Sequence, residues 1–527
     1  MLIMRDDSVL QETFPSLIQQ HGSERADSDA LIFHHRVTSW AEYSAGVNRI
    51  ANRLLRERIG KGGRAVLLGR NTAAYVTAMG GISTAGAVCI PMPTMVTAET
   101  LLLMLQDCSP DILFVDEYIS GLLAEVLALN SFVVSRVVAL DFDDKTALAA
   151  LNATSFDTWL GGSPADYPGI EILASDPFII MYSSGTTGTP KGIILGHGTR
   201  IGQARNMALL QHKVTIISTP LYSLGGMSSW MPTVYTGGCC VLVDKFDEQE
   251  FLSMVETYRV THMLLVPVQY ERLMAQANFG DFDLSSIEFK FGGSAPMTLA
   301  AKQELAQRFP GEMLEFYSLT EGGVTTALWF SQAPEKLASV GQASNGCVLK
   351  IIDEAGNELP SGEIGEIVGR SPIHMEGYLN RGDISSLLWA DGEGEQYFRS
   401  GDLGFLDEDG YLFLRDRKKD MIISGGMNVY AVDIEAVLQR HPDVAEAAVI
   451  GIPSKRWGES AVGLVVLKPG CDAQSTEALQ QWVNEQLSPS QRLATIELRD
   501  GLPKNHLGKI FKMQLRQELQ DALGTLD

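Results

Sequence analysis

Apolar and polar positions along the chain recur with two periods, one suited to helices and one to strands. From Ser39 onward, Tyr43, Val47, Ile50 and Leu54 fall on one helical face, and Ser39 with Glu42 three positions later makes a capping box. The short apolar runs Ala65–Leu68, Val88–Met92 and Ile112–Val115, separated by helical stretches, predict β-α-β alternation and hence a largely parallel sheet. The same alternation returns at Val214–Ser218, Cys239–Val243, His262–Val266 and Ile287–Phe291. An α/β body with two wound, mixed or parallel sheets covered by helices is therefore expected. After Gly346 the texture changes to short strands and turns, such as Asp353–Asn357 and Asp407–Gly410, which suits an antiparallel, barrel-like subdomain. Past Arg417-Lys418-Lys419-Asp420 the pattern again reads as self-contained, with a helix near Val432–Arg440, strands near Val444–Ile450 and Ala461–Leu467, and a terminal helix from about Lys509. The boundary expected at Lys419 divides a large domain, 1–418, from a small α+β domain, 419–527. Gly161–Gly169 reads as a surface loop, and no internal repeat stands out.

Composition narrows this picture. A chain of 527 residues exceeds what one hydrophobic core usually serves, and 45% apolar content with 20% charged residues suits close packing. The net charge of −23 opposes non-specific binding to nucleic acid or anionic lipid, so a polyanionic ligand must meet a local, shaped site. The six cysteines lack CxxC or CxxH spacing, and adjacent Cys239 and Cys240 read as buried strand residues, so neither a metal nor a disulfide role is expected. Met1–Gln20 interleaves Arg5, Asp6, Asp7 and Glu12 with apolar residues, unlike a signal peptide. No run approaches the roughly 18 residues of a membrane span. A soluble cytoplasmic protein with no nucleic-acid partner is the expectation.

The most informative run is Phe178-Ile-Ile-Met-Tyr182-Ser183-Ser184-Gly185-Thr186-Thr187-Gly188-Thr189-Pro190-Lys191-Gly192. An apolar strand enters a loop of small hydroxyl and glycine residues and leaves as another apolar strand. Glycines let backbone N–H groups approach an anion closely, hydroxyls donate further hydrogen bonds, and Lys191 adds charge. It is a phosphate grip by composition. It is not a Walker A loop, because GxxxxGK[ST] opening a helix is absent and Lys191 leads into a strand.

This run resembles the phosphate loop of the adenylate-forming superfamily, which includes acyl- and aryl-CoA synthetases, luciferases and the adenylation domains of peptide synthetases. Further motifs follow in the family's order across nearly the whole chain. The resemblance implies that ATP, Mg²⁺ and coenzyme A are used, with Ser183, Ser184, Gly185, Thr186, Thr187, Gly188 and Lys191 on the phosphates. Gly293-Ser294-Ala295-Pro296 is assigned to the nucleotide site by the same likeness. Phe316-Tyr317-Ser318-Leu319-Thr320-Glu321 resembles the aromatic-Gly-x-Thr-Glu segment, with Ser318 in place of glycine. By that likeness Tyr317 stacks on adenine, Thr320 binds the α-phosphate and Glu321 ligates Mg²⁺, for which a carboxylate is a suitable hard ligand. Without the likeness, the segment also reads as a strand end and a helix start capped by Thr320. Ser400-Gly401-Asp402 resembles the motif whose aspartate accepts hydrogen bonds from both ribose hydroxyls, although alone it is an ordinary turn. Arg417 is expected on ribose or phosphate, Lys419 at the hinge of a mobile C-terminal domain, and Gly425 and Gly426 along the pantetheine path. Asp416 stands where the family usually has glycine. Lys509, in Leu502-Pro503-Lys504-Asn505-His506-Leu507-Gly508-Lys509, resembles the lysine that bridges substrate carboxylate and α-phosphate. Lys509, Thr187 and Glu321 form the expected catalytic set.

Pro220-Leu221-Tyr222-Ser223-Leu224-Gly225-Gly226-Met227 resembles the family segment between nucleotide and acyl pocket, with Ser223 at the common histidine position. Tyr222, Ser223, Gly226, Met227, Gly292 and Gly322 are the expected pocket residues, and the glycines there either leave room for a bulky acyl group or serve close backbone packing. No aspartate lies between Pro220 and Gly237 to bind an α-ammonium, which disfavours an amino acid substrate. The implied function is activation of a fatty, branched or arylalkanoic acid as acyl-AMP, then thioester formation with CoA. Loading of a carrier-protein phosphopantetheine, luciferase-type oxidation and a non-catalytic nucleotide-binding protein are the other readings, and a homodimer stays open.

Overall fold

The computed structural model describes residues 12–129, 136–142, 149, 151–183, 190–208, 210–344, 346–382, 384–424, 427–471, 476–488, 491–504, 510–523 and 526. The chain divides into two compact units. The first comprises Met1–Leu337, Ser344–Cys347 and Ser371–Leu388, and the second Ala338–Ala343, Val348–Arg370 and Trp389–Asp527. The boundary expected at Lys419 lies inside the second.

The first unit holds two twisted sheets. One runs, in spatial order, Thr325–Trp329, Glu312–Ser318, Phe289–Gly292, His262–Leu265, Val214–Ile217, Cys239–Leu242, Asp29–Phe33 and Arg36–Ser39. From Glu312–Ser318 to Asp29–Phe33 all neighbours are parallel, as the alternation predicts. The other runs Gly377–Tyr378, Lys191–Gly196, Pro177–Ser183, Val88–Pro91, Arg64–Leu68, Ile112–Val115, Val137–Ala139 and Thr154–Ser155. It is parallel except at its Pro177–Tyr378 end, where the strands are antiparallel. Strands buried on both faces read as continuous apolar runs, which is why Ile112–Val115 and Cys239–Leu242 were visible without alternation.

The helix Trp40–Arg56 forms as its pattern requires. Ser39 Oγ accepts from Glu42 N at 3.2 Å and Glu42 Oε2 accepts from Ser39 N at 2.9 Å, while Tyr43, Val47, Ile50 and Leu54 are buried. The core beside Lys191's strand joins Val66, Leu68, Ile90, Leu101, Leu113 and Ile180.

The second unit is largely antiparallel. Val348–Ile352, Gly365–Arg370, Gln396–Leu406 and Leu412–Arg417 pair in that order, with a turn closed at Asp353–Asn357 as expected and the turn expected at Asp407–Gly410 closed by Asp407 and Tyr411. Beyond them, Met427–Val429, Ile422–Ser424, Gly458–Leu467 and Val444–Ser454 form a second sheet, joined in parallel by Thr495–Leu498. Helices Ala431–Leu438, Thr476–Asn484 and Lys512–Leu523 accompany it, the last starting three residues after the expected Lys509.

Burial of histidines links this packing to pH. Burial lowers His197 and His262 to about 4, pushes His212, stacked 4.2 Å from His262, well below its ordinary value, and lowers His21. These groups stay neutral when folded but protonate near about 6.5 when unfolded. For His197 and His262 the stabilising contribution is complete above about 6.5 and is lost as pH falls toward about 4, at up to about 1.4 kcal/mol per pH unit for each, and His212 and His21 contribute in the same direction. The urea midpoint should therefore drop between pH 7 and pH 5, with net proton uptake on unfolding. An unchanged midpoint over that interval would mean that these rings titrate alike in both states.

Candidate active site

The phosphate-grip segment is a hairpin. Pro177–Ser183 and Lys191–Gly196 pair antiparallel, with Ser183 opposite Lys191. Residues Ser184, Gly185, Thr186, Thr187 and Gly188, and the Ser183 side chain, lie outside the described part. The strand end is anchored by Tyr182, whose hydroxyl donates to Asp107 Oδ2 at 2.7 Å and to Met104 O at 3.2 Å. Asn380 Nδ2 donates to the Asp107 carbonyl at 2.7 Å, so one aspartate on the helix Ala98–Cys108 holds both segments.

Glu321 sits where Glu312–Ser318 reverses. Tyr317 pairs with Thr326 and Ser318 with Thr325, so the chain turns back as a strand and opens no helix at Thr320. Phe316 stacks on Phe291 with centroids 5.9 Å apart, fixing the face of the strand. The Glu321 carbonyl accepts from Met375 N at 2.7 Å, and Gly323 N donates to Ile373 O at 3.0 Å. The Glu321 side chain accepts from the Tyr378 hydroxyl at 2.9 Å through Oε1. The Lys191 ammonium lies 5.4 Å from the centroid of the same Tyr378 ring, within cation–π range. Burial first, then the charge of Glu321, pushes the Tyr378 phenol up, so it stays a donor at neutral pH.

The acyl segment and the 292–296 turn meet this site at the carboxyl ends of parallel strands, the usual ligand edge of such sheets. A Cβ on Gly225 would lie 3.4 Å from Ser294 Oγ, and one on Gly293 would lie 2.8 Å from Phe316 O. Segments 220–227, 292–296 and 316–322 are thus neighbours. Ala295 is half-buried, while Pro296 and Ser318 are exposed. Ser223 is the N-cap of the helix Leu224–Thr236. Its hydroxyl accepts from Gly226 N at 3.2 Å and donates to Pro220 O at 2.7 Å. Tyr222 is buried, its phenol pushed up to about 12 by burial, and Met227 is buried in the first turn of that helix.

Three of the pocket glycines make close contacts. A Cβ would come within 2.3 Å of Pro220 O at Gly226, 2.5 Å of Met313 Cε at Gly292 and 2.2 Å of Ile373 O at Gly322. These positions admit neighbouring atoms, two of them backbone carbonyls.

In the second unit, Asp402 and Arg417 face each other on paired strands, with Arg417 Nε 3.3 Å from Asp402 Oδ1. Gly401 has φ +70°, and Ser400 Oγ donates to Ile367 O at 2.7 Å and accepts from Asp402 N at 3.0 Å. Nearby, Glu366 receives Arg399 and Lys418. Its burial favours the neutral acid, but those two cations outweigh it and hold the carboxyl below its ordinary value. Lys419 lies in the turn after Leu412–Arg417, where Asp420 N donates to Arg417 O at 2.8 Å, and burial lowers its ammonium. Asp416, unusual by the family pattern, has a local task. Its Oδ2 accepts at 2.8 Å from Ala431 N, the first amide of the helix Ala431–Leu438, where the helix dipole favours an anion. Gly425, Gly426 and Lys509 lie outside the described residues, though Lys504 and Ile510 on either side of the last segment pair as an isolated bridge.

Tyr378 was missed by sequence reading. It lies 57 positions from Glu321, and no spacing marks it; the pairing of Gly377–Tyr378 with Ile193–Ile194 delivers it to the site. The site suits a magnesium nucleotide. Glu321 keeps Oε2 outside its bond to Tyr378. A cation here would take one carboxylate and complete its shell with phosphate oxygens and water, which is magnesium's habit. Among the described residues no helix is long and apolar enough to cross a membrane.

The family described as AMP-binding enzyme matches residues 18–379, and its C-terminal domain matches 433–509. The chain is 30% identical to an indoleacetate–CoA ligase of Aromatoleum aromaticum over 95% of this chain and 97% of that protein. It is 29% identical to a fatty acid–[acyl-carrier-protein] ligase of Streptomyces coeruleorubidus, covering 94% of each. Among solved structures it resembles o-succinylbenzoate CoA synthetase from Bacillus subtilis in complex with its acyl-adenylate intermediate, at TM-score 0.80 and 27% identity over 95% of this chain and 98% of that one. The same synthetase in complex with ATP and magnesium ion matches at TM-score 0.80 and 27% identity, over 96% and 99%.

Proposed function

The chain belongs to the AMP-binding enzyme family, and from that premise we propose that it is a cytoplasmic AMP-forming acid–thiol ligase. A carboxylate oxygen of a fatty, branched or arylalkanoic acid attacks the α-phosphorus of ATP, forming acyl-AMP and expelling pyrophosphate. The thiol of CoA then attacks the acyl carbon, giving the thioester and AMP. A carboxylate is a poor acyl donor because its oxygen leaves badly, and adenylation turns that oxygen into part of a phosphate leaving group. Lys191 and the hydroxyl and glycine residues 183–188 hold the phosphates, Tyr317 and residues 293–296 the adenine side, Thr320 the α-phosphate, and Asp402 with Arg417 the ribose. Magnesium on Glu321 would neutralise the phosphate charge that opposes attack.

The observation that carries this reading is the placement of Lys191 and Glu321 at two sides of one tyrosine, a cation and a hard ligand brought from separate sheets. Lys509 acts in the first step and the Gly425–Gly426 face in the second, with 419–527 turning at Lys419 between them. Such a turn has work to do, since Asp416 bonds Ala431 and Arg415 lies 3.5 Å from Asp433 across that point.

The test is a panel of fatty, branched, arylalkanoic and cinnamic-type acids offered with ATP and Mg²⁺. At least one acid should drive ATP–pyrophosphate exchange and, with CoA, release acyl-CoA and AMP. Indifference to every acid would leave a non-catalytic nucleotide-binding protein. The carrier-loading relative supports a second reading of the acceptor, and transfer to a phosphopantetheinylated carrier but not to free CoA would select it.

A further inference from the structure

Residues 373–379 grip both halves of the first unit's site. On one side, Ile373 O and Met375 N bond the backbone of Gly323 and Glu321; on the other, Glu376 N donates to Ile194 O and Leu379 N to Gly192 O, both at 2.8 Å. Tyr378 stands in the middle of this clasp, half-buried, paired with Ile193 on the strand that begins with Lys191. Its hydroxyl is 2.9 Å from Glu321 Oε1 and its ring centroid 5.4 Å from Lys191 Nζ.

The geometry points to Tyr378 as a positioning residue, whose hydroxyl orients the Glu321 carboxylate for the magnesium of a bound nucleotide while its ring keeps the Lys191 ammonium from pairing with that carboxylate. A glutamate beside a lysine would otherwise collapse into an ion pair, spending on each other the two charges that the nucleotide needs. An aromatic ring prevents this, because its face attracts the cation and its hydroxyl edge engages the anion. Outer partners of metal ligands act in this way, by fixing ligand orientation.

The inference rests on Glu321 being the metal ligand, and the test separates the two ideas. Mn²⁺ is titrated by electron paramagnetic resonance into the full-length protein saturated with α,β-methylene ATP, for the unaltered chain, Tyr378→Phe and Glu321→Gln. Tyr378→Phe keeps the ring face for Lys191 and removes only the hydroxyl. It should weaken Mn²⁺ binding by about 10–100-fold, with the circular dichroism spectrum still that of the unaltered chain. Unaltered Mn²⁺ affinity in Tyr378→Phe, with Glu321→Gln impaired, overturns the inference alone. Unaltered affinity in Glu321→Gln overturns the assignment of Glu321 and the inference with it.

Discussion

Replacing Lys509 with alanine is expected to slow acyl-AMP formation by about 10²–10³-fold, the loss of about 2.7–4 kcal/mol typical of a removed transition-state contact. Two anions, the acid and the α-phosphate, must approach during attack, and the ammonium would neutralise charge where it gathers. Thioester formation from synthetic acyl-AMP and CoA should be unimpaired, because in that step the phosphate departs and no second anion approaches it. The fold should tolerate the change. Phe511 N donates to Pro503 O at 2.8 Å on either side of the segment, and Leu515 and Leu519 of the terminal helix are buried against Ile450, Val462 and Leu464. Single-turnover measurements of each half-reaction decide the matter, and equal losses in both would refute the division of labour.

Gly322→Ala should cost more than any ordinary surface change. Gly322 has φ +77°, and its new Cβ would fall 2.2 Å from the Ile373 carbonyl oxygen, a backbone atom with no rotamer to yield. The left-handed conformation costs an L-residue about 1–2 kcal/mol and forced overpacking about 1–3 kcal/mol, so about 2–5 kcal/mol is expected. Gly169→Ala is the matched control, with φ +67° and nothing within 4 Å of the added carbon, so only the conformational cost applies. Denaturant midpoints should separate the two variants clearly. Since the Gly323–Ile373 hydrogen bond flanks Glu321, adenylation should fall further in Gly322→Ala than its lost stability explains. Equal midpoints for both variants would show that the clasp at 373–375 yields easily.

Much of the framework was legible because it is local. Arg64–Leu68, Ile112–Val115 and Val214–Ile217 are short apolar runs bounded by helical stretches, and parallel strands buried on both faces must look like that. The hairpin at 177–196 was readable from two apolar runs around a small-residue loop. Less legible was the purpose of individual residues. Ser223 reads as a pocket residue by position, yet its hydroxyl caps a helix; Gly226 and Gly322 read equally as space or as contact until the opposing carbonyls are placed. Asp416 looked like a departure from pattern, and the amide of Ala431, 15 positions on, supplies its reason.

By itself the sequence determined the α/β alternation, the capped helix at Ser39, the two apolar strands on either side of the hydroxyl and glycine loop, and the chemical kinds of residue available for a nucleotide and an acid. These follow from periodicity and backbone sterics among neighbours within a few positions. Only the tertiary structure decided that Tyr378 would contact both Lys191 and Glu321, and that Gly226 and Gly322 would face backbone carbonyls. Those outcomes depend on which strands become neighbours after long crossovers, and no local pattern carries that information.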